Sequence, residues 1–251
     1  MRYEILNTYV DALTMDQTIE RIIGIIDRGI PTQHVVINAS KINLMEKDSS
    51  LQKIVNNCEL INADGSSVLL AAKILNIPLK ERVTGIDLFE ELVKVSREKE
   101  YKIFLFGAKE DIVTTVKHKF ETNYPGIKIV GYRNGYFKES DNTAIVKEIN
   151  ESQADIVFVA FSSPQKEYWI HQNIDELNAP FIMGVGGSFD VFAGKTKRSP
   201  KCLQKIGMEW FYRFIQEPRR MWKRYIIGNF TFLKLVFKYK TKMKKSKERQ
   251  A

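Results

Sequence analysis

The 251-residue chain, 44% hydrophobic and 27% charged with a formal net charge of +9, suits one large α/β domain with an appendage or two small domains, with no repeat or low-complexity segment. Its two cysteines, Cys58 and Cys202, are too few for a disulfide framework or a zinc site and are expected as reduced thiols; residues 1–6 lack an apolar core of signal-peptide length, no other apolar run nears membrane-spanning length, and a cytoplasmic protein is expected. The charge is lopsided: residues 195–251 hold 18 Lys and Arg against three acids (Glu209, Glu217, Glu248), a net +15, whereas residues 1–194 hold 21 basic and 27 acidic residues, a net −6. A basic tail on an acidic body points to an anionic surface as partner, nucleic acid or phospholipid headgroups.

The chain opens with a short strand at residues 3–6. A helix follows from Thr14, where Thr14 and Gln17 fit a capping box and Ile19, Ile22, Ile23 and Ile26 form an apolar face, until Pro31 ends it. The run from His34 through Ile37 is β-branched and apolar up to Asn38, as in a strand of a parallel sheet buried on both faces. Asn38 thus sits at a strand end, where it either caps a helix at 40–47 or touches a ligand. A second apolar run, 58–61, leads to Asp64-Gly65-Ser66-Ser67 before a helix at 67–76. Ligands bind at this edge of open α/β sheets. Asp64 either carries chemistry there or turns the chain and caps the helix.

Residues 77–87 read as a loop feeding a helix at 88–99. Arg82, flanked by turn and cap residues, is placed either to pair bidentately with a carboxylate or phosphate or to form a surface salt bridge. A strand at 101–106 runs into Gly107-Ala108, a helix covers 110–120 and another strand 127–130. Strand, glycine turn and helix N-terminus make a seat for phosphate, although one glycine is not a GxGxxG motif. The loop 131–137, with Gly135 and Tyr136, either stacks on a base or packs on the core. A strand at 155–161 enters Ser162-Ser163-Pro164-Gln165-Lys166-Glu167, with Ser163 as N-cap and Pro164 as first helical residue. The last strand, 180–185, ends in Gly186-Gly187-Ser188-Phe189-Asp190. The glycines let backbone approach a ligand and Asp190 could hold a ribose or base edge, or the segment is a plain strand-to-helix connection.

From Ala193 the composition changes. Pro200 and Pro218 punctuate three helix-like pieces in which Lys and Arg alternate with aromatics such as Trp210, Tyr212, Trp222 and Phe230. That mixture fits a membrane interface and equally fits single-stranded nucleic acid. The expected architecture is therefore a Rossmann-like, mostly parallel α/β domain over residues 1–195 and a basic, aromatic helical appendage over 196–251.

Taken in order and spacing, several stretches resemble the WecG/TagA/CpsF family of bacterial glycosyltransferases over nearly the whole length. They are Ala63-Asp64-Gly65, the run from Glu81-Arg82-Val83 to Asp87-Leu88, Phe104-Leu105-Phe106-Gly107-Ala108, Gly135-Tyr136-Phe137, Ser163-Pro164 with Glu167-Tyr168-Trp169, the run from Gly184 to Gly194, and the tail pieces Glu209-Trp210, Tyr212-Arg213 and Glu217-Pro218-Arg219-Arg220. The resemblance implies inverting transfer of N-acetylmannosamine or another hexose from a UDP-sugar to a polyprenyl-diphosphate-linked saccharide on the cytoplasmic membrane face, in teichoic acid, exopolysaccharide or other cell-wall polymer synthesis. It implies no cofactor, and no metal, since no Asp-x-Asp motif occurs.

On that resemblance Asp64 takes the acceptor proton, while Arg82 and the tail arginines Arg213, Arg219, Arg220 and Arg224 neutralise the leaving UDP. The implied substrate contacts are Asn38, Gly107, Ala108, Gly135, Tyr136, Gln165, Lys166, Gly186, Gly187 and Asp190. Two departures bear on the sugar: Val36 stands where the family commonly has threonine, and Lys166 where it often has glutamine, with Gln165 displaced by one. The implied partners are the donor, the lipid-linked acceptor and an anionic membrane surface met by the tail, with no nucleic acid; a homo-oligomer is left open. The alternative is a non-catalytic nucleotide-binding α/β protein whose basic tail binds nucleic acid.

Overall fold

A parallel strand covered by helices on both faces has no wet side, so it reads as an unbroken apolar run. Three strands of this chain are buried along their whole length: Thr32–Ile37, Leu60–Ala63 and Ile156–Ala160. The computed structural model describes residues 1–248, without the side chains of Lys205, Arg220 and residues 245–248.

The strands are β1 (Arg2–Ile5), β2 (Thr8–Asp11), β3 (Thr32–Ile37), β4 (Leu60–Ala63), β5 (Lys102–Gly107), β6 (Lys128–Arg133), β7 (Ile156–Ala160) and β8 (Phe181–Gly184). The helices are α1 (Met15–Arg28), α2 (Ala39–Met45), α3 (Ser49–Asn57), α4 (Ser66–Ile74), α5 (Gly85–Glu98), α6 (Glu110–Asn123), α7 (Asn142–Glu151), α8 (Gln165–Asn173), α9 (Ser188–Phe192), α10 (Lys201–Lys205), α11 (Glu209–Gln216), α12 (Pro218–Trp222) and α13 (Gly228–Glu248), with a π-helical turn at Lys223–Ile227 between the last two.

Six strands form one sheet in the order β4-β3-β8-β7-β5-β6, every pairing parallel. Successive side chains point to opposite faces of a strand. On β5, Ile103 and Leu105 join α1, α5, α6 and α9 on one face, while Phe104 and Phe106 join α7 and α8 on the other. Toward β3 and β4 that second face is covered by α2, α3, α4 and α13. The expected Rossmann-like parallel α/β layering is present. β6, at the edge, alternates exposed and half-buried residues.

Local signals set most boundaries. Thr14 and Gln17 form the expected reciprocal capping box of α1, which ends at left-handed Gly29, before Pro31. The opening strand has a partner that the sequence reading lacks: β1 and β2 pair antiparallel around Leu6 and Asn7, at φ 50° and 60°. Such a turn usually announces itself by Asn-Gly or Asp-Gly; here a leucine takes a position that side chains disfavour. Helices α3 and α7 also lie outside the elements read from sequence, although Leu51, Ile54 and Val55, and Ile145, Val146 and Ile149, stand at helical spacing and are buried.

The Ser163–Pro164 peptide is cis and α8 starts at Gln165. Ser163 is therefore not the side-chain cap expected of it, because its hydroxyl donates to Glu167 Oε1 (3.0 Å). The basic tail is helical and its last helix is partly built into the core: Phe232 and Val236 of α13 are 1% and 0% exposed, in one cluster with Val35, Ile37 and Ile61. Among the described residues no helix is long and apolar enough to cross a membrane.

Candidate active site

The C-terminal ends of β3, β4, β7 and β8 open into a cleft of about 970 Å³, whose far wall is the tail from Lys195 to Leu233. It is basic: among the described lining residues are eight Lys and Arg side chains against three carboxylates, Asp64, Asp190 and Glu209. The wall holds most of the residues singled out from sequence, namely Asn38, Asp64, Arg82, Ala108, Tyr136, Lys166, Gly186, Gly187, Asp190, Arg213 and Arg224.

Asp64 follows β4 directly, and its N–H donates to Ile37 O of the neighbouring strand (2.8 Å). This pins the acid beside Asn38. The asparagine is the helix cap that one of its two readings expects: its Oδ1 accepts from Lys41 N at the start of α2 (3.0 Å), and its Nδ2 faces Asp64 Oδ2 at 3.5 Å. Cap and carboxylate partner are one side chain, so α2 and Asp64 are positioned together. Asp64 itself caps nothing; Gly65, at φ 101°, is the N-cap of α4. The acid is half-buried at the cleft.

Arg82 reaches the cleft, but its guanidinium grips the tail. Nη1 donates to Glu209 Oε2 (2.9 Å) and Nη2 to Gln204 O (2.7 Å). Two neighbouring contacts strengthen this clasp. Ser66 Oγ donates to Gly207 O (2.9 Å), and Arg198 pairs with Asp87 and Glu90 of α5. Thr84, the N-cap of α5, shares Asp87 through its hydroxyl. The tail is thus tied across the cleft beside Asp64, and Arg213, Arg224, Trp210 and Tyr225 complete the wall.

Gly107, Gly135, Gln165 and the exposed Arg219 are not among the described lining residues. Gly107 is a packing site, not a lining residue: a Cβ there would lie 2.8 Å from Ala160 N, so β5 and β7 close together only around glycine. Gly135 fits against Phe161, Gly107 and Ala108, and its N–H donates to Ala108 O (2.9 Å). Gln165 is exposed, its Oε1 accepting from Ser162 Oγ (2.9 Å). The backbone of Arg220 lies in α12, and its side chain falls outside the described residues. The turn after β5, read as a phosphate seat, leads into a first helical turn already carrying Glu110 and Asp111. In the aromatic loop Phe137 packs on Phe106 and Phe161, as the core reading expects, while Tyr136 stays 72% exposed at the cleft mouth.

Beneath the cleft lies a charge cluster that sequence reading missed except for Lys166. Lys41 Nζ meets Glu167 Oε1 at 2.6 Å, both side chains almost wholly buried, and Lys166 Nζ lies 3.8 Å from the same oxygen. Burial pulls the Lys166 ammonium down from 10.5 to about 8, with Lys41 adding to the fall and Glu167 and Asp64 opposing it. For Glu167 burial works upward, but Lys41 and Lys166 outweigh it and hold the carboxyl below its usual range. Lys41 and Glu167 are 126 residues apart, and neither motif nor spacing connects them. Arg198, Trp210 and Tyr225 were hidden likewise in a tail that reads as uniformly basic and aromatic. Among the described residues no three His, Cys, Asp or Glu side chains gather as a metal site would require.

Comparison with known proteins bears on this cleft. Residues 3–246 match the model of the glycosyl transferase WecG/TagA/CpsF family. The chain is 39% identical over 178 residues, 71% of its own length and 68% of the relative's, to the N-acetylglucosaminyldiphosphoundecaprenol N-acetyl-beta-D-mannosaminyltransferase of Bacillus subtilis strain 168. It is 31% identical over 252 residues, covering 98% of this chain and 96% of the relative, to the protein of the same description from Staphylococcus aureus strain MW2.

Proposed function

This chain belongs to the WecG/TagA/CpsF family of glycosyl transferases, and we propose that it moves a hexose, N-acetylmannosamine or another, from a UDP-sugar to a polyprenyl-diphosphate-linked saccharide with inversion at the anomeric carbon. One observation carries this reading: a strand-end carboxylate, Asp64, is held beside Asn38 in a cleft whose described lining is otherwise dominated by cations. In a single displacement the acceptor hydroxyl attacks the anomeric carbon. Asp64 takes the hydroxyl proton as the new C–O bond forms, and the bond to the diphosphate breaks with its electron pair leaving on UDP. One displacement inverts the centre. The charge growing on UDP needs neutralising, and Arg213 and Arg224 on the tail wall are the groups for it without a metal. The acceptor class is supported by the relatives' names, which describe transfer to N-acetylglucosaminyldiphosphoundecaprenol.

A lipid-linked acceptor is met at a membrane, and the tail has the surface for it. Trp222, Ile226, Ile227, Phe230 and Phe237 are 43%, 58%, 50%, 73% and 57% exposed on a segment rich in Lys and Arg, the mixture that settles among anionic headgroups. In this reading the protein works peripherally on the cytoplasmic face of the bacterial membrane.

The test is transfer from a panel of UDP-sugars to a short polyprenyl-diphosphate acceptor, with wild type and Asp64→Asn. The variant should bind UDP normally and lose about a hundred- to ten-thousand-fold in turnover, and transfer by the wild type should survive EDTA. Near wild-type turnover in Asp64→Asn removes Asp64 as the base. Loss on chelation, restored by magnesium, removes the metal-free account.

A further inference from the structure

The cluster under the cleft does not balance its charges. Lys41, Glu167 and Lys166 have side chains 3%, 1% and 11% exposed, and one carboxylate serves two ammonium groups. Glu167 Oε1 also accepts from Ser163, and Oε2 is buried with no hydrogen-bond partner. Asp64, after β4, and Arg224, on the π-helical turn, act on Lys166 with opposite signs. A net positive charge is left at low dielectric, which is costly unless an anion arrives.

The geometry says where that anion would come from. At 3.8 Å from Glu167, Lys166 Nζ is too far for a hydrogen bond, and among the described residues no other ion pair takes it. Its stem runs over β8 only because Gly184 has no side chain: a Cβ there would lie 2.7 Å from Lys166 Cδ. Its ammonium comes to rest against Gly186, where a Cβ would be 3.3 Å from Nζ. Gly186 holds a left-handed φ of 56°, and it lines the cleft together with Gly184 and Lys166. A cation has been threaded through a glycine channel to the cleft floor and left without a full partner.

We infer that Lys166 is the floor contact for the donor's diphosphate, held up by the Lys41–Glu167 pair and admitted by Gly184 and Gly186, so that donor affinity depends on the protonation of this one lysine. The inference rests on the UDP-sugar reading above. Its sign follows from the chemistry. Lys166 is charged below about pH 8 and loses its proton above that, so affinity for a diphosphate falls as pH rises through about 8, whereas affinity for a ligand without phosphate does not.

Isothermal titration of the full-length protein with UDP and with uridine, at pH 7 and at about pH 8.5, tests this. Across that range the phosphates of UDP are largely ionised and the uracil ring keeps its N–H, so the change in charge is mainly the protein's. Wild type should bind UDP roughly fourfold more weakly at the higher pH, with uridine unchanged. Lys166→Met should bind UDP roughly ten- to a hundredfold more weakly at pH 7, lose the pH slope and keep uridine. Gly184→Ala, which displaces the lysine stem without removing its charge, should weaken UDP selectively as well. If Lys166→Met binds UDP as wild type does and with the same slope, the inference falls while the donor reading stands. Should Lys166→Met lose uridine and UDP together while Gly184→Ala binds both normally, Lys166 is merely structural and the inference falls again. A wild type that binds UDP at neither pH removes the donor reading and this inference with it.

Discussion

The last helix offers a measurable test of how far residues 196–251 are an appendage. α13 docks through Phe232 and Val236, 1% and 0% exposed, with Leu235 and Tyr239 half-buried beside them. Two polar contacts pin it: Asn43 Nδ2 donates to Gly228 O (2.7 Å) and Tyr239 Oη to Glu4 Oε1 (2.8 Å). A buried Phe→Ala change costs about 3–5 kcal/mol where the surroundings cannot escape the cavity. For a chain of this size that corresponds to roughly 6–20 °C in Tm. Here escape is available. Two fully buried side chains contribute about 1.5–3 kcal/mol each, and removing the larger takes away most of what offsets the ordering of the helix. Phe232→Ala should therefore release α13 locally rather than destabilise the body. Amide exchange across α13 should accelerate while the global Tm falls by less than about 6 °C, and the cleft should lose Phe232 and Leu233 from its wall. Hydrogen exchange by mass spectrometry, read beside calorimetry, decides it. A Tm drop of the full size with α13 still protected would refute local release and show that tail and body unfold as one unit.

Three further expectations concern other parts of the molecule. Arg82→Ala and Glu209→Ala should each lower kcat/KM by roughly 10–150-fold, as loss of a charged hydrogen bond worth about 1.5–3 kcal/mol implies, and the double variant should be no worse than Arg82→Ala alone; additive losses would show that Arg82 acts on substrate independently of its clasp. His34, buried with Nε2 against Asn62 Oδ1 (2.9 Å), has its pKa pushed from 6.5 to about 4, chiefly by burial and further by Lys41. The unfolded chain takes up that proton near pH 6.5 and the folded one does not, so stability is complete above 6.5 and declines between 6.5 and about 4, by roughly 3 kcal/mol. Urea titrations across this window should show a flatter profile for His34→Gln, and equal slopes would clear His34 of the effect. In flotation with anionic vesicles, wild-type binding should weaken with salt but leave a residue that Phe230→Ala and Phe237→Ala remove, since aromatic insertion is not screened; identical salt curves for wild type and variants would exclude these rings from the membrane contact.

What could be read from the sequence was whatever neighbours in the chain decide. The Thr14–Gln17 box starts α1 as expected, and the β-branched run ending at Asn38 and the apolar run before Asp64 became adjacent central and edge strands. Strand ends, small-residue turns and helix starts are short-range matters of propensity and capping, so the sequence alone assigns Asn38, Asp64, Gly186 and Lys166 to one edge of the sheet. The tertiary structure alone decided which charge meets which. Arg82 reads like a phosphate ligand, yet its partner Glu209 is 127 residues away, and Lys41 finds Glu167 across 126. Such pairs are selected by proximity and burial after folding, and a single chain carries no local pattern across that separation. The tail shows the same limit: it is uniformly basic and aromatic as written, but packing put Phe232 and Val236 in the core, Arg213 and Arg224 on the cleft wall and Phe230 in solvent, because which face of a helix is covered depends on the surface it lands on.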